Sequence, residues 1–262
     1  MVEIEAAARA LIAARRQRRR LPALPEALTP HSEADGYRIQ AEHQRLLQAE
    51  CAAGAAVGYK IGCTNATAQA QLGIDGPFVG RLFAAYVYDS PAEIAADLCF
   101  MRMIEAEVAF RIGHDLPPRD GGYAPAELAD AVPAAMPALE IVDSRYAEWT
   151  TVGAPLIIAD NASAGLWVCG APGETAGIDW ADHAVQVTRN GVPAETGNTG
   201  NVLGSPLNAL AWLTRFLGGR GETLAAGQLV TTGTTIPVNG AEQGDTIVAD
   251  FGVMGRVEVS FR

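Results

Sequence analysis

Glu105 and Glu107 lie two residues apart in Met103-Ile104-Glu105-Ala106-Glu107-Val108-Ala109-Phe110-Arg111-Ile112. Ile104, Ala106, Val108, Phe110 and Ile112 form one apolar set, and Met103, Glu105, Glu107, Ala109 and Arg111 form the other. A period of two predicts a strand with one face in a core. Both carboxylates then share the other face, roughly 6–7 Å apart along the chain. Like charges that close repel unless a cation sits between them or one carboxyl is protonated. A third acid, Glu140, is set in Pro137-Ala138-Leu139-Glu140-Ile141-Val142. A carboxylate in apolar surroundings is costly unless it is paired or bound to a metal. Three carboxylates with no nearby Cys or His suit a hard, oxygen-preferring divalent ion, Mg²⁺ or Mn²⁺, rather than zinc. Spacing alone leaves a second reading open, with Glu105 and Glu107 on a solvated face and Glu140 paired to an arginine such as Arg145.

Lys60 is the next candidate. It lies between two glycines in Gly58-Tyr59-Lys60-Ile61-Gly62, where a ligand can approach the backbone. A partly buried lysine can act as acid or base, and a charged one can hold a carboxylate. Its plain alternative is a strand lysine pointing at solvent. Asp160-Asn161-Ala162-Ser163-Ala164-Gly165 is a small polar loop, and Ser163 could present its hydroxyl to a ligand. Ordinary turn chemistry explains the same residues. Gly233-Thr234-Thr235 could cradle a carboxylate with backbone N–H groups. The histidines His31, His43, His114 and His183 fall in no catalytic or metal motif and are expected at the surface. There is no phosphate-binding loop, no dinucleotide fingerprint and no nucleophile elbow.

The elements that must carry these residues follow from pattern. Residues 3–20 read as a helix, and 21–30, with three prolines, as a linker. Its end, Arg15-Arg16-Gln17-Arg18-Arg19-Arg20, is expected to be a solvated helix terminus. Ser32 caps a second helix through about Cys51. A short strand at 57–62 precedes a helix at 66–72 capped by Thr64, and 73–80 is expected to be a loop. Strands are predicted at 84–88, 101–112, 138–144, 166–169, 184–188, 228–232, 246–251 and 256–261. The dipeptide Asn190-Gly191 marks a hairpin. Helices are predicted at 125–132 and 206–217, the latter with Ser205 as cap and Pro206 at its first position. Strands in runs favour an α+β fold over a doubly wound parallel sheet. The expected division is a mainly helical region, 1–80, packed on a β-rich core, 81–262.

Composition narrows the partners. The chain has 262 residues, 49% of them hydrophobic, enough for a sizeable core. Its formal charge of −11 argues against a nucleic-acid surface. The apolar runs are too short to cross a bilayer. No signal peptide is evident, so a cytoplasmic location is expected. Cys51, Cys63, Cys99 and Cys169 are too scattered for a metal motif and are expected as free thiols.

Several segments together resemble a known family. In order from Gly58 to Asp245 they are Gly58-Tyr59-Lys60-Ile61-Gly62, Gln71-Leu72-Gly73-Ile74-Asp75, Ile104-Glu105-Ala106-Glu107-Val108-Ala109-Phe110, Pro137-Ala138-Leu139-Glu140, Ala159-Asp160-Asn161-Ala162-Ser163, Thr188-Arg189-Asn190-Gly191, Gly204-Ser205-Pro206-Leu207-Asn208-Ala209 and Gly244-Asp245. This pattern resembles the 2-keto-4-pentenoate hydratase family, with its sister 4-oxalocrotonate decarboxylases, inside the fumarylacetoacetate hydrolase superfamily. The resemblance implies a mixed β-roll core with a smaller helical N-terminal part. It implies a divalent metal, Mg²⁺ or Mn²⁺, held by Glu105, Glu107 and Glu140. It implies a 2-oxo acid or 2-hydroxy-2,4-dienoate as substrate, with water added to give a 4-hydroxy-2-oxo acid in aromatic catabolism. Lys60 would move a proton or hold the carboxylate, Ser163 would position substrate or water, and a homo-oligomer is expected. The alternatives are decarboxylation of 2-oxo-3-hexenedioate (4-oxalocrotonate) and a non-catalytic ligand-binding member of the fold. Two positions depart from the hydratase pattern. Phe78 stands where hydratases commonly carry an acid, and Ser205 stands where the family has a histidine. Asp143-Ser144-Arg145-Tyr146 also resembles the decarboxylases.

Overall fold

The computed structural model describes residues 2–173, 175 and 177–262. Two helices come first, α1 (Ile4–Arg16) and α2 (Glu33–Glu50), and Ser32 caps α2 by accepting from the Asp35 N–H. Then come β1 (Ala56–Gly62), α3 (Ala66–Leu72), β2 (Phe78–Phe83), β3 (Val87–Asp89), β4 (Ala92–Ile94) and β5 (Met103–Arg111). The short helix α4 (Pro125–Ala129) leads to β6 (Ala135–Val142), α5 (Ala154–Ala159) and β7 (Leu166–Cys169). The hairpin β8 (Ala184–Arg189) and β9 (Val192–Asn198) precedes α6 (Pro206–Gly218). The strands β10 (Leu229–Thr234), β11 (Asn239–Gly240), β12 (Thr246–Asp250) and β13 (Arg256–Phe261) close the chain.

The strands form two mixed sheets. The larger runs β2-β1-β10-β5-β6-β7-β3, with β11 added to β5, and the smaller runs β4-β13-β12-β8-β9. Three pairings are parallel, β1 with β10, β3 with β7 and β4 with β13. Strand β5 shows why the sheet is built this way. Its apolar set, Ile104, Ala106, Val108 and Phe110, enters the main core beside the apolar residues of β12 and β13. The opposite face is also covered further along, where Ala109 packs with Leu82, Met136, Ala138 and Trp167. Sealed on both faces there, the strand has little room for an unpaired charge.

Helices α1, α2 and α5 pack with Phe83 of β2 in a separate apolar cluster that includes Leu11, Ile39, Leu46 and Leu156. Residue 80, the expected boundary, falls inside β2, and β1 is an interior strand of the larger sheet.

Other expectations change in detail. The cap of α3 is Asn65, whose side chain accepts from the Ala68 N–H, not Thr64. Residues 73–80 are not all loop, because Phe78, Val79 and Gly80 pair with Gly62, Ile61 and Lys60. The predicted strand at 84–88 begins as a 3-10 turn, Ala84–Tyr86. Strand β9 and helix α5 carry no clear pattern in the sequence. The basic end of α1 is not wholly solvated: Arg15 lies over the Tyr86 ring, 4.8 Å from its centroid, and Arg20 donates to the carbonyls of Tyr146 and Ala147. The four cysteines are free thiols. No helix among the described residues is long and apolar enough to cross a membrane.

Candidate active site

Antiparallel register builds the acid cluster. Glu105 on β5 stands directly opposite Glu140 on β6, and Glu107 follows two residues along on the same face. Like charges placed opposite one another destabilise a sheet. Yet one carboxylate oxygen from each of Glu105, Glu107 and Glu140 can be chosen so that all three lie within 4.8 Å of one another. Glu107 and Glu140 are fully buried, while Glu105 is partly exposed and faces a cavity.

The hydrogen bonding of these acids is incomplete. Glu107 Oε2 accepts from the Thr231 hydroxyl and from the Gly233 N–H at 3.0 Å, but its Oε1 has no partner. Neither oxygen of Glu140 accepts a hydrogen bond, although Lys60 Nζ stands 3.2 Å from Oε1 as an ion partner. Burial and the neighbouring carboxylates raise the Glu107 pKa well above the carboxylate range. Burial likewise raises that of Glu140, against the pull of Lys60. With all three acids ionised, the trio and the one ammonium carry two net negative charges, which a divalent cation would balance. Oxygen-only donors with three orphaned atoms fit Mg²⁺ or Mn²⁺, so the residues present suit the ion expected from the sequence.

Lys60 does not point at solvent; it is 3% exposed and is the only lysine in the chain. Its flanking glycines serve close packing. A Cβ on Gly58 would meet the Leu229 carbonyl oxygen at 2.0 Å, and one on Gly62 would meet the Phe78 ring at 2.4 Å. Nζ donates to the Ala162 carbonyl at 2.9 Å as well as pairing with Glu140. Burial works to lower its pKa, but Glu140, Glu105 and Glu107 together outweigh that and raise it. Lys60 is therefore held as an ammonium, and its three N–H donors are not all taken up by the Ala162 carbonyl, which leaves donor capacity for a ligand.

A cavity of about 270 Å³ opens on Lys60 and Glu105. Its polar wall carries Thr64, Asn65, Gln71 and Ser163, and its apolar wall carries Cys63, Leu72, Phe78, Trp149 and Ile157. The hydroxyls of Ser163 and Thr64 are both buried without a partner. Ser163 was legible as a loop residue with a free hydroxyl, whereas Thr64 was missed because its place before a helix suggested a cap. Gly233 also lines this cavity, and its N–H binds the protein's own Glu107. Phe78 sits 5.9 Å, ring centroid to Nζ, from Lys60.

The suggested pairing of Glu140 with Arg145 does not occur. Arg145 instead binds Asp160, with Nε 2.6 Å from Oδ1, and lies 3.7 Å from Asp143. His43, expected at the surface, is fully buried on α2, with Nδ1 3.1 Å from the Ala159 carbonyl oxygen. Burial, then the charges of Arg145 and Arg15, bring its pKa down to about 3 and keep it neutral. His31 and His114 are exposed and His183 is half-buried, all away from the cavity.

Sheet order, acid trio and adjoining cavity define a fold class, and comparison with known proteins identifies it. Residues 78–262 match the model of the fumarylacetoacetate hydrolase C-terminal family. The chain is 36% identical over its whole length to 2-keto-4-pentenoate hydratase 1 of Dechloromonas aromatica (strain RCB), covering 98% of that protein. It is 32% identical to 2-hydroxyhexa-2,4-dienoate hydratase of Comamonas testosteroni, over 98% of this chain and 97% of that one. Among solved structures, 4-oxalocrotonate decarboxylase from Pseudomonas putida G7, complexed with magnesium and adipate, superposes with a TM-score of 0.91 at 26% identity. That match covers 99% of this chain and 97% of the other. The chain thus belongs to the fumarylacetoacetate hydrolase family, in its group of 2-keto-4-pentenoate hydratases and related decarboxylases. It is an enzyme of the lyase class.

Proposed function

We propose that this lyase adds water to a 2-hydroxy-2,4-dienoate and releases a 4-hydroxy-2-oxo acid. The observation that favours hydration is the cavity lining: among the described lining residues Lys60 is the only cation, and it stands at the acid-cluster end. Elsewhere the lining includes Leu72, Trp149 and Ile157, which suit a neutral tail. A second carboxylate buried there would lack a counter-charge. A divalent cation held by Glu105, Glu107 and Glu140 would supply a Lewis acid to the two oxygens at the acid end of the substrate.

The remaining roles fall to the protein's own groups. The dienol delivers its hydroxyl proton, a proton arrives at C5, and the α,β-unsaturated ketone forms. Water oxygen then bonds to C4, and a proton goes to C3. Lys60, as an ammonium, donates to the substrate at the acid end. Ser163 and Thr64, whose hydroxyls lack protein partners, orient the attacking water. In this reading the enzyme works in the cytoplasm as a homo-oligomer.

One feature favours a second reading, decarboxylation of 2-oxo-3-hexenedioate. The Phe78 ring is an apolar surface against which a second carboxylate would be desolvated, and loss of CO₂ relieves that cost. Offering 2-hydroxypenta-2,4-dienoate and 2-oxohex-3-enedioate separately distinguishes the two. Loss of dienoate absorbance without CO₂ is the expected result, stopped by chelation and restored by Mg²⁺ or Mn²⁺. CO₂ release from the dioate would establish the second reading, and turnover indifferent to chelators would overturn the metal assignment.

A further inference from the structure

Lys60 and Ser163 are brought together by a loop whose backbone is held in an unfavourable shape. Asn161, Ala162 and Ser163 all have positive φ, at 52°, 56° and 55°. A non-glycine residue adopts such backbone unfavourably unless its surroundings enforce it. Main-chain bonds brace the loop, with the Ser163 carbonyl accepting from the Asp143 N–H and the Ala164 N–H donating to the Asn161 carbonyl, and one side chain ties it to β2. Asn161 Oδ1 accepts from the Arg81 N–H at 2.9 Å, and Asn161 Nδ2 donates to the Arg81 carbonyl at 3.0 Å. The side-chain amide therefore occupies both main-chain groups of Arg81, as a neighbouring strand residue would. Gln44 Nε2 on α2 donates to the same Oδ1 at 2.8 Å and fixes the amide from behind. Gly80 admits the loop, since a Cβ there would meet the Asn161 carbonyl oxygen at 2.5 Å.

What the loop delivers is functional geometry. Residue 162 puts its carbonyl 2.9 Å from Lys60 Nζ, and residue 163 puts an unpartnered, buried hydroxyl on the cavity wall. We infer that Asn161 is a positioning residue: its clamp on the Arg81 main chain sets the direction of the Lys60 ammonium and of the Ser163 hydroxyl. The consequence for rate rests on the roles proposed for Lys60 and Ser163; the clamp itself does not.

Because the chain contains a single lysine, ¹⁵Nζ-lysine labelling gives one side-chain ammonium signal, that of Lys60. Asn161→Gly keeps the backbone free to adopt positive φ and removes the clamp together with the Gln44 contact that supports it. Asn161→Asp keeps the acceptor for the Arg81 N–H and loses the donor to its carbonyl, which gives a milder variant should the glycine variant fold poorly. For both variants the Lys60 signal should move or exchange faster, while Mg²⁺ affinity by calorimetry stays within about threefold. With 2-hydroxypenta-2,4-dienoate, kcat should fall by about tenfold to a hundredfold with KM little changed, since small misplacements of reacting groups carry such costs. An unmoved Lys60 signal in the variants overturns the inference. So does loss of Mg²⁺ affinity in parallel with kcat, which would make Asn161 general scaffolding. A moved signal with wild-type kcat supports the clamp and overturns the catalytic part given to Lys60 and Ser163.

Discussion

Two buried ionic clusters lie close together in this molecule, and they are completed differently. Around Arg145 the charges are satisfied from within. Asp160 takes the Arg145 Nε at 2.6 Å and its backbone N–H at 2.9 Å, and the Asp160 and Ala164 carbonyls accept from the guanidinium. Asp143 stands alongside and accepts from the Met101 N–H. Around Lys60 the charges are not satisfied. Glu107 and Glu140 keep three oxygens without a donor, and the cluster carries more negative than positive charge. A closed cluster holds the chain together, and an open one is finished by something the chain does not supply. Burial of the charged groups does not tell them apart, for Lys60, Glu107 and Glu140 are as buried as Arg145 and Asp160; what does is that carboxylate oxygens lack partners around Lys60, whereas no charged atom of Arg145, Asp160 or Asp143 does.

The largest effect tests the open cluster. Glu107→Gln removes one negative charge while preserving shape and an acceptor for Thr231 and Gly233. Mg²⁺ affinity should fall by about two orders of magnitude or more, and kcat by about three, because Lewis-acid assistance is worth several kcal/mol at roughly 1.4 kcal/mol per tenfold. The metal-free variant should be no less stable to urea than the wild type, since burial and the neighbouring carboxylates already disfavour a charge at this position and the amide is neutral. A clear loss of metal-free stability would mean that Glu107 serves the fold.

The closed cluster should respond in the opposite sense. Asp160→Asn leaves Arg145 buried with its main counter-ion gone, at a cost of about 3–5 kcal/mol in urea unfolding with or without metal. Mg²⁺ affinity of the folded fraction should change little. A variant that keeps its stability and loses metal would erase the distinction between the two clusters.

This contrast explains how much of the molecule was legible in its sequence. Strand β5 announced itself because its period of two survives in local order, as did the Asn190-Gly191 hairpin and the Ser32 cap. The acids were visible as residue types, but three carboxylates allow a wet surface as readily as a metal. Only the β5–β6 register sets Glu105 opposite Glu140, and register is a long-range property. Strand β9 was missed because it is an edge strand with largely exposed residues and no alternation. Helix α5 has nearly every residue buried, so it has no polar face to reveal its period. Thr64 and Asn161 carry ordinary turn chemistry in the sequence; Thr64 packs against Gly233 and Asn161 binds Arg81, both distant along the chain.

The smallest expected effect concerns His43, which borders the closed cluster and is held neutral. Its folded pKa, about 3, lies below the ordinary histidine value of 6.5. The unfolded chain therefore binds a proton that the folded chain refuses between those two values. Stability from this group is complete above pH 6.5 and is lost as pH falls toward 3, at up to about 1.4 kcal/mol per pH unit. The open cluster opposes it, because Glu107 and Glu140 have raised folded pKa values and favour the folded state as pH falls. Comparing the wild type with His43→Gln, both saturated with Mg²⁺, cancels that contribution. The variant should be less stable than the wild type near neutrality, and the gap should close and reverse as urea unfolding is repeated from pH 6.5 down to pH 5. A gap that stays constant with pH would mean that His43 carries a proton in the folded protein, and that a charge has entered the closed cluster from the α2 side.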